Sequence, residues 1–311
     1  MKYFLRYLLL LPTVVWAAGN QAVLYDSYGS SDRFVIEGRV IEAKKQAAAK
    51  NDDAWYSNLW HNLRTLKNSD REGVKLTVKV SDQEAHTVSA EEGYFHVALT
   101  PQRPLPPGWH AVNVQGKGAQ GVGWVLIVPK SNTLGIISDI DDTVLISDVP
   151  DKSKLLKNTF LKNPTQRQAF PGTADFYRRL LAQNSDPKAT PMFYVSASPR
   201  QLAESIKTFL MENNFPQGVL VTKQINGNGH DPLLDQKEYK AAKIEAIFSA
   251  LPWVKFVLVG DDGELDPETY RALQEKYPQH VAAIYIRKVS PDPKRKTYAG
   301  QLDLTMASGR Q

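Results

Sequence analysis

From about Ala22 to Lys130 the apolar residues come in short runs that alternate with polar ones. Phe34-Val35-Ile36, Val74 to Val80, Tyr94 to Leu99, Ala111 to Val114 and Trp124 to Val128 are the clearest. A period of two places one set of side chains on one face of a strand, and turn residues separate the runs, so the pattern predicts an antiparallel β-sandwich. One helical insertion is expected around Ile41 to Leu66, with Trp55 and Trp60 packing against the sheet. Beyond Pro129 the pattern changes. Strand-like runs at Leu134–Ser138, Met192–Ser196, Val219–Val221, Phe256–Val259 and Val281–Ile286 alternate with helical ones near Thr173–Gln183, Pro199–Asn213, Lys237–Ala250 and Pro267–Lys276. Such alternation predicts parallel strands with crossover helices, a doubly wound sheet whose site lies beyond the carboxyl ends of its strands. Ser198-Pro199 and Asp266-Pro267 read as helix starts, each a capping side chain followed by proline.

The chain has 311 residues, 42% of them hydrophobic and 23% charged, and no cysteine. Disulfides, thiolate metal sites and cysteine nucleophiles are thereby excluded. The 38 basic and 33 acidic residues leave a net charge of +5 spread along the chain, which gives no sign of a nucleic-acid partner. The first residues have the parts of an export signal: Lys2 and Arg6, an apolar run from Tyr7 to Trp16, then Ala17, Ala18 and Gly19. Interrupted by Pro12, that run is too short for the roughly 20 residues that span a bilayer. A signal peptide at 1–17, removed after Ala17, lowers the charge from +5 to +3 by loss of Lys2 and Arg6. The expected organisation is this signal, a β-sandwich over 18–130, an α/β domain over 131–290 and a C-terminal tail over 291–311. The expected location is the bacterial periplasm.

Gly116-Lys117-Gly118-Ala119-Gln120-Gly121 spells the glycine pattern of dinucleotide-binding loops. That role needs a helix after the glycines, and here Val122 to Val128 reads as a strand. The expectation is a hairpin and no nucleotide cofactor.

The chemistry gathers at predicted strand ends. Ser138-Asp139-Ile140-Asp141-Asp142-Thr143 follows the first strand, and two carboxylates so close call for a cation such as Mg²⁺. A calcium loop of EF-hand type fails, since its sixth position is Val144 and its twelfth Pro150. Ser196 ends the second strand beside a predicted helix start, where a hydroxyl and free amides can hold an anion. Gly260-Asp261-Asp262-Gly263-Glu264-Leu265-Asp266 ends the fourth, and Lys237, Lys240 and Lys243 precede it on a helix.

In order and spacing these motifs resemble the haloacid dehalogenase (HAD) superfamily of phosphatases. More narrowly, Gly135 to about Val289 resembles the catalytic domain of the actin-patch-protein type phosphatidate phosphatases, which are similar to lipins. The further matching runs are Phe170-Pro171-Gly172, Tyr194 to Pro199, Val259 to Pro267 and Ile284 to Arg287. The resemblance implies Asp139 as a nucleophile forming an aspartyl-phosphate, and Asp141 as general acid and then base. It implies Ser196 and Lys240, with Lys243 as the alternative, on the phosphoryl oxygens. Asp139, Asp141 through its carbonyl, Asp261 and Asp262 would hold Mg²⁺. Asp262 replaces the serine usual in this family, leaving the division of roles among Asp261, Asp262 and Asp266 open. The retained Asp139/Asp141 pair favours an enzyme over relatives that only bind lipid.

Neither Val144–Pro191 nor Ala197–Tyr239 comfortably holds a folded cap, so a capless, open site is expected. It suits a bulky ester, a phospholipid at a membrane surface. Lys152 to Lys162, four lysines interleaved with Leu155, Leu156, Phe160 and Leu161, could rest on such a surface or pack its leucines inward. The loop Gln224 to Gln236 is expected at the entrance. The reading is therefore an exported, Mg²⁺-dependent phosphatase for phosphatidate, with a lysophospholipid or phosphoprotein as alternative substrates. A non-catalytic phosphatidate-binding module is the reading outside enzymes.

Overall fold

The computed structural model describes residues 20–42, 71–145, 168–223, 236–290 and 292–309, apart from the side chains of 199, 201, 236 and 237. The signal segment, the insertion after Glu42, the Lys152–Lys162 run and the loop 224–235 lie outside the described residues.

The first half is built from β1 (Asn20–Leu24), β2 (Ser27–Gly29), β3 (Phe34–Glu42), β4 (Lys75–Val80), β5 (Gln83–Val88), β6 (Tyr94–Leu99), β7 (Gly108–Gly116) and β8 (Ala119–Ile127). They hydrogen-bond as one sheet in the order β1-β3-β2-β8-β7-β4-β5, with β6 on β3. The pairing is antiparallel except where β1 and β2 meet β8. The period of two does its work here: Leu76, Val78 and Val80 point into a core with Phe34, Ile36, Phe95, Val112, Val114 and Val125, while Lys75 and Lys79 face water. Ile41, expected to open a helical insertion, is instead in β3 and pairs with Gln21.

The glycine pattern is a hairpin. Gly116 pairs with Ala119 across the turn, and Gly118 takes φ +71°. Gly121 has a packing reason of its own, because a Cβ there would lie 1.8 Å from the Ala22 carbonyl oxygen of β1.

The second half reads β9 (Leu134–Ser138), α1 (Thr173–Leu181), β10 (Met192–Pro199), α2 (Ala203–Glu212), β11 (Val219–Lys223), α3 (Gln236–Ala250), β12 (Lys255–Asp261), α4 (Asp266–Lys276), β13 (Val281–Arg287), β14 (Gln301–Asp303) and the short α5 (Leu304–Ala307). Its six strands are all parallel, in the order β11-β10-β9-β12-β13-β14. Both faces are covered, which is why these strands are near-continuous apolar runs. Ile136, Met192, Tyr194, Val257 and Val259 pack under α1 and α2. Their neighbours Ile137, Phe193, Val195, Phe256 and Leu258 pack under α3 and α4.

Two expectations are corrected. Residues 301–307 are no tail: β14 extends the sheet and Leu304 is fully buried in the core under α1. The helix expected from Pro199 starts later. Pro199 still belongs to β10, a single 3₁₀ turn follows, and α2 begins at Ala203 with no side-chain cap.

The halves share apolar surface. Leu126 and Val128 belong to the same buried cluster as α3 and the parallel sheet, with Tyr28 and Trp109 packed against it. The Tyr28 ring meets Phe193 edge-on at 4.9 Å between centroids. No helix among the described residues is long and apolar enough to cross a membrane.

Candidate active site

Chain order runs outward from β9 to β10 and β11, then returns to β12 on the other side of β9. The direction switches between the carboxyl ends of β9 and β12, the place where a doubly wound sheet has its crevice. The Asp139 amide donates to the Val259 carbonyl at 2.8 Å, which holds Asp139 at the rim of β12. A tight turn follows, with the amides of Val144 and Leu145 both donating to the Ile140 carbonyl and Asp142 at φ +55°. The turn sends Asp139 and Asp141 to different walls.

On the β12 wall, Lys240 of α3 places its Nζ 2.9 Å from Asp139 Oδ1, 2.8 Å from Asp266 Oδ1 and 3.1 Å from Glu264 Oε2. Asp261 accepts at Oδ1 from the amides of Gly263 (2.7 Å) and Glu264 (3.2 Å), and at Oδ2 from the Thr143 hydroxyl (3.4 Å). Asp139, Asp261, Asp266 and Lys240 are all at most 3% exposed. Burial pushes the Asp139 carboxyl well above the usual carboxylate range, and Asp266, Glu264 and Asp261 add to this against Lys240. Asp261 is raised in the same way, by burial and then by Asp266. For Lys240, burial works against the charge, but Asp139, Asp266 and Glu264 together hold it well above its ordinary value.

On the β10 wall the partners are neutral. Ser196 and Ser198 donate their hydroxyls to Asp141 Oδ2 at 3.1 and 3.3 Å, and the Ser198 amide donates to Ser196 Oγ at 2.9 Å. Burial first and Glu264 second lift Asp141 to about 7, against the pull of Lys240 and the Ser196 hydrogen bond.

The structure therefore brings Asp139, Asp261 and Lys240 together, and sets Asp141 with Ser196 opposite them. Lys243 does not join: its Nζ lies 5.9 Å from the centre of the Tyr239 ring. Asp262, expected as a metal ligand, is turned away. Its Oδ1 accepts from the amides of Val289 (2.6 Å) and Ser290 (2.7 Å). Asp139, Asp261 and Asp266 each offer a carboxylate oxygen within 4.8 Å of the others, a group that could hold a metal ion. Asp266, which the sequence offers both as a helix cap and as a further site carboxylate, receives the Asp261 amide at Oδ2 and the Lys240 ammonium at Oδ1. The Asp141 carboxylate, engaged by the two serines, is not part of that group.

These residues fit a divalent cation. Asp139 Oδ2 is buried with no hydrogen-bond partner among the described residues. Four carboxylates, those of Asp139, Asp261, Glu264 and Asp266, converge here, and Lys240 is the one cation bonded to them among the described residues. A hard all-oxygen donor set of this kind suits Mg²⁺. Sequence reasoning missed Ser198, taken for a cap, and Thr143. Both stand within motifs that drew attention, so proximity to the aspartates was the available signal.

A doubly wound α/β domain with an acidic, lysine-bridged crevice at its switch point is the class that fold and site define. Residues 134–288 match the family described as "Phosphatidate phosphatase APP1, catalytic domain". Over this segment the chain belongs to that family and carries an APP1-type catalytic domain. It is 35% identical over 156 residues to Phosphatidate phosphatase APP1 of Saccharomyces cerevisiae, covering 50% of this chain and 26% of that protein. It is 29% identical over 162 residues to an uncharacterized protein of Schizosaccharomyces pombe, covering 52% and 26%. The chain thus spans about a quarter of the length of these curated relatives. Among solved structures, a carbohydrate acetylesterase from Xanthomonas citri aligns over 86% of this chain and 68% of that one, at 10% identity and TM-score 0.33. The Pnkp1/Rnl/Hen1 complex aligns over 52% and 48%, at 13% identity and TM-score 0.33. Likenesses this distant carry no argument.

Proposed function

We propose that this protein is a phosphoric monoester hydrolase that converts phosphatidate to diacylglycerol, with a HAD-like, capless catalytic domain behind an N-terminal β-sandwich. The observation that carries the reading is the unpartnered Asp139 Oδ2, buried beside Lys240 and two further aspartates within an APP1-type domain. Asp139 Oδ2 attacks phosphorus, and the bond to the diacylglycerol oxygen breaks as the aspartyl-phosphate forms. Asp141, as the carboxylic acid, protonates the leaving alkoxide. It then takes a proton from the water that hydrolyses the aspartyl-phosphate. A pKa of about 7 suits a group that must give and take a proton in one cycle. Lys240, already against Asp139, and the Ser196 hydroxyl, now donated to Asp141, are the groups that hold the phosphoryl oxygens.

Asp139, Asp261 and Asp266 would hold Mg²⁺, which when bound supplies positive charge against the phosphoryl oxygens. We place the enzyme in a bacterial periplasm, its 1–17 signal removed, working at a membrane surface on a phospholipid.

Phosphatidate in mixed micelles with Mg²⁺ is the test. Release of inorganic phosphate that stops with EDTA or with Asp139→Asn supports the proposal. No release, or equal release by Asp139→Asn, overturns it. A panel of lysophosphatidate, phosphopeptides and soluble esters separates the lipid from other bulky substrates.

A further inference from the structure

The family match ends at residue 288, yet the β12 wall is held from beyond it. Arg295 threads a guanidinium between the site loop and the first turn of α4. Its Nε donates to the Asp262 carbonyl at 2.7 Å, one amino nitrogen to the Glu264 carbonyl at 2.7 Å, and both amino nitrogens to the Glu268 carboxylate, one at 2.8 Å and the other closer still. The Asp262 carbonyl belongs to the peptide unit whose N–H, that of Gly263, donates to Asp261 Oδ1 at 2.7 Å. Because a peptide unit is a rigid plane, fixing its oxygen fixes the direction of its N–H, and that N–H orients the Asp261 carboxylate. Asp262 ties the same loop from the other side, receiving the amides of Val289 and Ser290. The strap is anchored further on, where Gln301 donates to the Pro267 carbonyl at 2.7 Å and Arg271 to the Ala299 carbonyl at 3.3 Å.

We infer that Arg295 and Asp262 are positioning residues: together they clamp the 261–266 loop to the C-terminal strap and set the carboxylates of Asp261 and Asp266 at the spacing a divalent cation needs. The inference rests on the metal reading above. With its carboxylate on the strap amides, Asp262 acts on the site without facing it. Arginine is required for the geometry. Lysine carries its donors on one nitrogen and has no planar fork, so it cannot reproduce the four bonds that the guanidinium makes from three nitrogens, two of them to the Glu268 carboxylate.

The experiment reads metal binding directly, using Mn²⁺ as a paramagnetic probe titrated into the full-length protein, with the Mg²⁺ concentration for half-maximal phosphate release as a second readout. Arg295→Ala is expected to weaken Mn²⁺ binding roughly 10- to 100-fold, the usual loss when a group supporting a metal ligand is removed. Arg295→Lys is expected to recover only part of it. Asp262→Asn keeps an oxygen acceptor for the strap amides and is expected to bind Mn²⁺ nearly as well as the native protein, whereas Asp262→Ala is not. If Arg295→Ala does not fold, the Lys and Asn variants still decide. Native Mn²⁺ affinity in Arg295→Lys and in Asp262→Ala overturns the clamp. An Asp262→Asn loss equal to that of Asp262→Ala also overturns it, because that result makes Asp262 a ligand. A native protein that binds no Mn²⁺ overturns the metal reading first, and the clamp with it.

Discussion

The two walls of the site carry opposite chemistry. At the end of β10 the groups that touch Asp141 are hydroxyls, Ser196 and Ser198. At the end of β12 they are ions: an ammonium among carboxylates whose mutual repulsion and burial leave Asp139, Asp261 and Asp266 all raised. The neutral wall can tune one proton, while the ionic wall is built around a positive charge it only half supplies. A single pair two residues apart, Asp139 and Asp141, serves both walls because the turn at Asp142 splits them.

The largest effects should come from breaking the ionic wall. Asp139→Asn is expected to lower kcat by ~10⁴-fold or more, as loss of a covalent nucleophile does, read as phosphate release in single turnovers. Lys240→Ala leaves Asp139, Glu264 and Asp266 facing one another without their cation. The folded state should lose about 3–5 kcal/mol near neutral pH, measured by urea denaturation, and recover part of it in acid as the carboxylates protonate.

Between these and the smallest effects lies pH. Asp141 is raised from 3.8 to about 7, and a carboxyl raised on folding favours the native state most when protonated. Its contribution is full below about pH 4 and fades as pH rises through 7. The metal-free protein should therefore melt at progressively lower temperature from pH 4 to 7.5, and Mg²⁺ should flatten that slope by repaying the carboxylates of the other wall. Ser196→Ala sharpens the contrast, since its hydrogen bond pulls the Asp141 pKa down. The pKa that Asp141 contributes to the pH–rate profile should move up with little change in Mn²⁺ affinity. At the small end, Lys276→Ala breaks an exposed pair with Glu245 on the outside of α4 and should leave both walls as they were, within about 0.5 kcal/mol of native stability.

The parallel strands were legible because burial on both faces leaves uninterrupted apolar runs, such as Phe256 to Val259, and the acids after them stood out by contrast. Asp139, Asp261 and Lys240 were legible for the same reason, each fixed by its distance from a strand or helix. The direction of a side chain at a loop was not. Asp266 before proline fits a cap as well as a site carboxylate, and only the fold shows Lys240 opposite it. Asp262 next to Asp261 looks like a second ligand until the strap amides arrive from residues 289 and 290. The strap is hidden in the sequence, since Pro291-Asp292-Pro293-Lys294-Arg295-Lys296 has the polar, proline-rich composition of a tail. Its role depends on tertiary partners that no local pattern encodes.

Tyr28 wedged against Phe193, with Leu126 and Val128 under α3, has a thermodynamic consequence. Two units that bury side chains in one another's core are expected to lose order together. A calorimetric scan should show a single endotherm in place of two. Tyr28→Ala should shift that one peak as a whole, so that loss of the antiparallel sheet and loss of phosphate release share one temperature.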